Sequence, residues 1–340
     1  MTRTAALAAL HDYLSGPEDE FLTALQKRTA FSNPWLTLEN QQRSLRAIVD
    51  EFLAPGKLAA FTARYSIPPT RSAPRTVGLV LAGNIPLVGF HDVLCVYLSG
   101  HRARIKPSSK DEFVLPYLLQ LLARFDPAAA EQLTIVPTLK GYDAVIATGS
   151  NNSARYFESY FGAVPHLIRR NRNAVAILDG SETTAELRAL GQDVFTYFGL
   201  GCRNVSHLRV PEGYDFAPLL EVFHDWRHYQ HHPKWKNNYD YNYALLLLNK
   251  EPFLSNGAVL LRESDQLASH IAGLFYGHDA DPAASVAALA ARRDGIQLVV
   301  GHHPVPGLPH FPFGQAQQPG LADFADGVDT MAFLLNLTTQ

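Results

Sequence analysis

Short apolar runs alternate with helix-length amphipathic segments along much of the 340-residue chain. The run TVGLVLAG at 76–83 is continuous and rich in valine and leucine, which is typical of a strand buried on both faces. The same pattern predicts further strands at 101–108, 133–137, 143–150 and 174–178, with helices at 88–98, 113–125 and 183–198. This order predicts an α/β fold with a parallel, doubly wound sheet.

The regions on either side are predicted from the same periodicity. Residues 1–64 carry apolar positions at helical spacing, so we expect amphipathic helices there. After residue 200 a second α/β unit is predicted, with strands at 206–213, 243–248, 258–263 and 296–301 and helices at 216–229 and 265–275. The last stretch, 301–340, is rich in proline, glycine and histidine and ends in the apolar segment MAFLLNL.

Composition excludes several classes of function. The formal net charge is −3, so the chain is not expected to bind nucleic acid. No apolar run approaches the ~20 residues that a membrane-spanning helix needs. The first residues lack the pattern of a signal peptide. Two cysteines far apart in sequence indicate a reducing compartment, and we expect a soluble cytoplasmic protein.

The two cysteines occupy different settings. Cys95 lies in the apolar run HDVLCVYLSG, which is typical of a cysteine that only packs. Cys202 lies in FGLGCRNVS, where Gly199 and Gly201 give the backbone freedom and allow another group to approach closely. Cys202 is therefore a candidate nucleophile, and an inert thiol is the alternative.

Polar residues follow three of the predicted strands, where ligands bind in open α/β sheets. Asn84, in LAGNIP, either donates its amide to a developing oxyanion or caps the next helix. Lys106, in RIKPSS, suits a ribose hydroxyl or a phosphate, or is an ordinary surface lysine. The segment ATGSNNSAR at 147–155 indicates either an anion site at a helix start or a plain N-cap at Ser150 or Asn151.

Histidines cluster in HDWRHYQHH at 224–232. His224 and His228 are spaced i, i+4, as in some metal sites, and His231 and His232 follow. No HExxH motif is present, and no cluster of carboxylates and histidines stands elsewhere at ligand spacing. We interpret the segment as a histidine-rich, aromatic surface and expect no metal.

The order of these motifs resembles the aldehyde dehydrogenase superfamily, and more narrowly its acyl-CoA reductase (LuxC-type) family. The series continues with Glu-Pro-Phe at 251–253 and Pro-Phe-Gly at 312–314. The strongest matches are TGSNNSARYF (148–157), HLIRRNRNAVAIL (166–178), CRNVSHLRVPEGYDF (202–216) and ADGVDTMAFL (325–334).

The resemblance implies a role for each matching residue. Cys202 matches the catalytic cysteine, and Asn84 matches the asparagine that binds the oxyanion together with the backbone N–H of the cysteine. The implied cofactor-binding residues are Lys106, Ser108, Ser109, Thr148, Gly149, Ser150, Glu251 and Phe253. Lys106 would hold the adenosine ribose, and Gly149 and Ser150 would face the pyrophosphate. Glu251 and Phe253 would lie at the nicotinamide end.

Two departures from the superfamily pattern bear on the reaction. Aldehyde-oxidising members carry a glutamate before the cysteine that activates water, whereas the corresponding segment RRNRNAVAIL at 169–178 has no carboxylate. The acyl-enzyme should then be resolved by a hydride or a thiol and not by water. Ser109 stands where NAD-preferring members have a carboxylate, so we expect NADP(H) in preference to NAD(H).

The resemblance implies an acyl-CoA reductase that converts an acyl thioester to an aldehyde with NAD(P)H. A Cys-dependent acyl thioesterase and a non-enzymatic nucleotide-binding protein on a dehydrogenase scaffold are the alternatives. The expected regions are an N-terminal helical segment (1–70), a cofactor domain (71–199), a catalytic domain (200–300) and a C-terminal return with an oligomerisation segment (301–340). A homodimer is expected, with MAFLLNL adding to a partner's sheet.

Overall fold

The computed structural model describes residues 2–337, apart from the side chain of Asn151. In the first half of the chain the elements are α1 (Arg3–Leu14), α2 (Glu20–Ser32), α3 (Leu38–Ala47), a π-helical turn (Ile48–Leu53), α4 (Pro55–Thr62), β1 (Thr76–Val80), α5 (Phe90–Ser99), β2 (Arg102–Lys106), α6 (Val114–Phe125), α7 (Ala128–Gln132), β3 (Leu133–Ile135), β4 (Ala144–Thr148), α8 (Asn151–Phe161) and β5 (His166–Arg169).

The second half begins with β6 (Asn173–Ile177), α9 (Thr184–Phe195), a 3₁₀ turn (Thr196–Gly199), β7 (Val205–Pro211), α10 (Ala217–Val222) and a 3₁₀ segment (Phe223–His231). It continues with α11 (Pro233–Asn249), β8 (Leu254–Ser255), β9 (Leu260–Glu263), β10 (Gly273–Asp279), α12 (Pro282–Ala291), a 3₁₀ turn (Arg293–Gly295), β11 (Ile296–Gly301), β12 (His310–Phe311), a 3₁₀ turn (Ala325–Gly327) and α13 (Thr330–Leu335).

The chain divides into two compact units, one formed by residues 1–171 with 320–340 and the other by 172–319. The boundary between these two compact units lies between Asn171 and Arg172. The reason is sheet pairing, because β6 hydrogen-bonds to β7 and β11 and therefore belongs with the strands that follow it.

The first unit is built on a five-stranded parallel sheet in the order β3-β2-β1-β4-β5. Val77 and Leu79 of β1 are fully buried, as the apolar run predicts for a central strand. Gly78, between them, packs against Leu139, whose side chain lies 2.7 Å from the position that a Cβ would take. Side chains from α1, α5 and α6 complete this core.

The second unit is built on a seven-stranded sheet in the order β12-β11-β6-β7-β10-β9-β8. Its strands are parallel except for the edge pair of β8 and β9. All residues of β11 are buried, and β7 is buried along all but its last residue. Two sheets of mostly parallel strands with covering helices confirm the predicted α/β fold class.

Two predicted elements of the second unit are wrong. Residues 243–248 (YALLLL) are not a strand but the end of α11, a helix that starts at Pro233 with His232 as its N-cap. Of those six residues only Leu246 is buried, so the apolar run is not a sign of burial here. Residues 265–275 are not a helix, because Ala272 has a φ of 63° and the chain then enters β10.

The segment MAFLLNL does not form a strand available to a partner. It forms α13, and Met331 and Leu334 are fully buried in the core of the first unit. Two buried polar groups anchor this helix: Arg169 donates to Thr330 Oγ1 at 2.8 Å while it pairs with Asp92 at 2.6 Å, and His101 reaches the last turn.

His101 joins two backbone segments inside the first unit. Its Nδ1 accepts the Arg75 N–H at 2.9 Å, and its Nε2–H donates to Leu334 O at 2.9 Å. One ring nitrogen must therefore stay unprotonated for the network to form. Burial lowers the pKa of His101 to about 4, from an ordinary value of about 6.5.

We predict that His101 makes the fold acid-sensitive. Between about pH 6.5 and pH 4 the unfolded chain protonates this ring and the folded chain does not, so acidification favours unfolding. At pH 5 this group should remove on the order of 1–2 kcal/mol from the free energy of unfolding. Urea unfolding of the wild type and of His101→Gln should therefore show a smaller stability difference at about pH 5 than at about pH 7.5. Equal differences at both pH values would contradict this assignment.

Candidate active site

The carboxyl ends of three neighbouring strands gather predicted site residues in the first unit. Lys106 is the last residue of β2, Thr148 is the last residue of β4, and Asn84 follows β1, which lies between these two strands. The Leu81 N–H donates to Lys106 O at 3.1 Å, so the Asn84 loop starts against the end of β2. This sheet edge is where an open α/β sheet binds its ligand.

The loop that carries Asn84 is fixed by buried polar contacts. Helix α5 begins at Phe90 with Gly89 as its N-cap, so Asn84 does not cap that helix. Asp111 accepts the Leu87 N–H at 2.7 Å, and Ser44 donates to Pro86 O at 2.8 Å. Burial raises the pKa of Asp111. Neither Asp111 nor Ser44 follows a recognisable motif, and sequence reasoning missed both.

Ser108 lies directly against the same loop. A Cβ placed on Gly83 would be 2.6 Å from Ser108 Oγ, so only glycine fits one residue before Asn84. The Ser108 hydroxyl also accepts the Lys110 N–H at 3.2 Å. Lys106 and Ser109 are exposed beside it. The predicted segment from 106 to 109 therefore borders the loop of Asn84.

Ser150 is the N-cap of α8. Its Oγ accepts the Ser153 N–H at 3.2 Å, which is the plain capping interpretation that the sequence left open. A Cβ on Gly149 would lie 2.8 Å from Ser153 Cβ and 2.9 Å from the Phe157 ring, so the turn needs glycine to pack on its own helix. The turn follows Thr148 at the same sheet edge.

In the second unit, an unusual backbone leads to Cys202. Helix α9 starts in a capping box between Thr183 and Glu186 and ends at Phe195. Tyr197, Phe198 and Gly199 then have φ values of 55°, 57° and 69°. Consecutive left-handed residues that are not glycine are strained, and such strain clusters at functional sites.

Aromatic packing holds this strained segment. The Phe198 ring lies 4.7 Å from the Tyr229 ring and 4.5 Å from the His232 ring, measured between centroids. Phe198 is 5 % exposed, so its side chain cannot leave without opening this cluster. The histidine-rich segment thus packs against the strained residues that precede Cys202.

Cys202 lies half-buried in a turn between this segment and β7. The Asn204 N–H donates to Gly201 O at 3.2 Å, and the Gly201 N–H donates to Asn204 Oδ1 at 2.8 Å. Asn204 is 1 % exposed, and sequence reasoning assigned it no role. The available signal was a lone asparagine two residues after the cysteine.

A second contact joins this turn to the predicted Pro-Phe-Gly segment. Arg203 donates through Nε to Ala316 O, and its guanidinium lies 4.5 Å from the centre of the Phe311 ring. Asp193 of α9 accepts the N–H groups of Gly314 at 2.6 Å and Ala316 at 2.9 Å. Burial raises the pKa of Asp193 to about 7, although both N–H groups and Arg203 oppose this shift.

Glu251 and Phe253 lie elsewhere on the second unit. Glu251 pairs with Arg262 of β9, which lowers the pKa of the carboxyl, and the Phe253 ring lies 5.3 Å from the Tyr243 ring. Arg262 is level with Phe275 of β10. The register places Phe275 beside His207 in the middle of β7, whereas Cys202 precedes the start of that strand.

Three histidines of 224–232 make contacts close to them in sequence. His224 lies 3.7 Å from Glu221, His228 Nδ1 donates to Asp225 O at 2.9 Å, and His232 caps α11. Within residues 2–337, no group of three His, Cys, Asp or Glu side chains has the geometry to hold a metal ion.

Comparison with known proteins supplies the family. Residues 36–204 match the model of the family described as Acyl-CoA reductase (LuxC). This part of the chain belongs to the acyl-CoA reductase (LuxC) family. No curated protein sequence matches the chain.

Solved structures establish the fold as that of aldehyde dehydrogenases. Indole-3-acetaldehyde dehydrogenase AldA of P. syringae, a mutant in complex with NAD+ and IAA, is 14% identical, with a TM-score of 0.65 over 88% of this chain and 71% of that chain. Aldehyde dehydrogenase 21 of Physcomitrella patens, with succinate, is 12% identical, with a TM-score of 0.64 over 98% and 83%. A propionaldehyde dehydrogenase mutant of Clostridium phytofermentans is 9% identical, with a TM-score of 0.58 over 87% and 76%.

The LuxC match covers Asn84, Lys106, Gly149 and Cys202 and ends at Asn204. Glu251 lies beyond it. No helix in the described part of the chain is long and apolar enough to cross a membrane.

The two thiols should differ sharply in reactivity. Cys95 is fully buried, and burial raises its pKa well above the ordinary value, as expected of a packing cysteine. We predict that iodoacetamide modifies one thiol of the native protein, which peptide mass mapping assigns to Cys202. Cys202→Ala should resist labelling under native conditions, while Cys95→Ala should be labelled like the wild type. Equal labelling of both cysteines would contradict this view of the site.

Proposed function

We propose that the protein is an acyl-CoA reductase that forms an aldehyde from an acyl thioester through a thioester on Cys202. The observation that carries the proposal is the position of Cys202: a half-buried thiol on a turn held by buried hydrogen bonds, inside the segment that belongs to the LuxC family. The alternative of an inert thiol does not account for the strained backbone that leads to it.

The residues at the sheet edge of the first unit suit a nicotinamide dinucleotide. Lys106 supplies a positive charge beside an exposed serine, and the turn at Gly149 leads into the start of α8, where backbone N–H groups suit an anion. In this proposal Lys106, Ser108, Ser109, Thr148, Gly149 and Ser150 hold the adenosine and pyrophosphate, and Glu251 and Phe253 serve the nicotinamide end. AldA of P. syringae, which shares the fold, was solved with NAD+. When bound, the reduced nicotinamide supplies the hydride that brings the acyl carbon to the aldehyde level.

In the first step the Cys202 thiolate attacks the carbonyl carbon of the acyl thioester. A carbon–sulfur bond forms to Cys202, the bond to coenzyme A breaks, and coenzyme A leaves as its thiolate. The amide of Asn84 donates to the oxyanion that develops during the attack. Reduction of the acyl carbon would leave a tetrahedral oxyanion on Cys202. As this oxyanion re-forms the C=O bond, the bond between the carbon and Cys202 Sγ breaks, the aldehyde is released and the thiolate is restored.

Hydrolysis of the acyl-enzyme should be slow. The segment 169–178 has no Asp or Glu, and its second half forms β6 inside the sheet of the second unit. Without a general base a step typically loses ~10²–10⁴-fold in rate. The thioester on Cys202 then persists long enough to be reduced.

Cofactor choice is proposed to favour NADP(H). Ser109 is exposed and carries no charge that would repel a 2′-phosphate, and the exposed Lys106 can pair with it. The proposed substrate is an acyl-CoA or another acyl thioester.

We predict that an acyl-CoA and NADPH give oxidation of NADPH, seen as loss of its absorbance, and that NADH works less well. Cys202→Ala should abolish both turnover and covalent acylation by a labelled acyl-CoA. Asn84→Ala should lower kcat by roughly 10²–10³-fold with little change in KM, because it removes an interaction made with the oxyanion.

Other outcomes of this assay identify other functions. Release of free thiol without oxidation of NADPH would favour the thioesterase. Binding of the nucleotide with neither reaction would favour the non-enzymatic binding protein. Acylation that persists in Cys202→Ala would place the nucleophile elsewhere, and near-normal turnover of Asn84→Ala would remove its proposed role.

We also propose a homodimer in a reducing cytoplasm. Because MAFLLNL is buried as α13, the exposed side chains of α11 offer the apolar contact surface instead: Tyr241, Leu245, Leu247 and Leu248. Burial of such side chains is the usual driving force for association.

Light scattering at micromolar concentration should give twice the mass of the chain. Leu248→Glu should lower that mass, because a charge on the most exposed leucine of α11 opposes burial. Leu254→Glu serves as the matched control on the neighbouring strand. A single-chain mass for the wild type would contradict the dimer.

A further inference from the structure

The end of α9 leaves backbone carbonyls that need donors. Carbonyl groups in the last turn of a helix have no partner inside the helix. Asn204 Nδ2 donates to Asp193 O at 3.0 Å and to Thr196 O at 2.8 Å, with Val194 O at 3.4 Å. These bonds are buried. The side chain of Asn204, which follows the cysteine, therefore caps the C-terminal end of α9, the helix before the cysteine.

The other end of the same amide holds the cysteine turn. Oδ1 of Asn204 accepts the Gly201 N–H at 2.8 Å, and the Asn204 N–H donates to Gly201 O at 3.2 Å. Asn204 thus binds both the N–H and the C=O of Gly201. Cys202 lies in the turn between Gly201 and Asn204. Gly201 without these bonds would have the wide backbone freedom of glycine.

We propose that Asn204 is the positioning residue for Cys202: it locks the turn that carries the thiol to the end of α9. The inference rests on the proposed function of Cys202 as nucleophile. Asn204 touches neither substrate nor cofactor in this proposal, and it acts through the orientation of Sγ. Nucleophilic attack depends steeply on such orientation, so a small movement of the turn costs turnover more than binding.

An amide is suited to this position because the two ends need opposite chemistry. The carbonyls of α9 require a donor and the Gly201 N–H requires an acceptor, and Asn supplies both on one short side chain. Alanine supplies neither. A serine side chain is smaller than asparagine but keeps one hydroxyl that can form a hydrogen bond. Asn204→Ser is therefore a milder substitution than Asn204→Ala.

The test compares Asn204→Ala with the wild type in three measurements. We expect kcat with acyl-CoA and NADPH to fall about 10–10²-fold while KM changes less than about 3-fold. The single-turnover release of coenzyme A should slow by the same factor, because acylation is the oriented step. Labelling of Cys202 by iodoacetamide should stay within about 3-fold, since a small reagent needs no fixed orientation.

Gln132→Ala is the matched control. Gln132 Nε2 also donates to three backbone carbonyls, those of Val96, Tyr97 and His101, in the first unit, whereas the cysteine turn belongs to the second. Its loss should lower thermal stability without changing kcat. If Asn204→Ala does not fold, Asn204→Ser takes its place in the same measurements.

The outcomes separate this inference from the proposed function. Near-normal kcat in a folded Asn204 variant, with turnover abolished in Cys202→Ala, would overturn the positioning role alone. An equal loss of kcat in Gln132→Ala would also overturn it, because general loss of stability would then explain both. Turnover that survives in Cys202→Ala would overturn the proposed function and this inference with it.

Discussion

Buried backbone carbonyls at the end of α9 impose the constraint on which the site depends. A helix that ends inside the protein must find donors for its last carbonyls, since burying them unpaired costs free energy. Here the donor is Asn204, in the turn that precedes β7. The requirement that ends the helix therefore also fixes the turn of Cys202. Stability and the presentation of the thiol come from the same hydrogen bonds.

The second supporting feature is the parallel order of the strands. In the first unit β1, β2 and β4 are neighbours and end at one edge, so Asn84, Lys106 and Thr148 are brought together although they are far apart in sequence. The loops at this edge are held by buried contacts from outside them, such as Asp111 on Leu87. Positions 83 and 149 require glycine because neighbouring side chains occupy the space that a Cβ would need.

Much of the fold is predictable because local pattern and burial agree. The run at 76–83 predicts β1 since a central parallel strand must be apolar on both faces. Prediction failed at 243–248, where an equally apolar run is the exposed end of α11. It also failed at MAFLLNL, which was expected to add to the sheet of a second chain. The segment is buried, but it packs as a helix against α5 of the same unit. An apolar run does not say which surface, if any, will cover it.

The sequence by itself determined the class of fold, the family and the candidates for chemistry, because strand burial and motif order are local properties of the chain. Only the tertiary structure decided that Asn84 does not cap α5, that Ser150 does cap α8, and that Asn204, Asp111 and Asp193 hold the loops of the site. These residues act through hydrogen bonds to backbone atoms. Such bonds form only when folding brings a distant backbone group next to the side chain. The residue type alone does not predict which backbone group that will be.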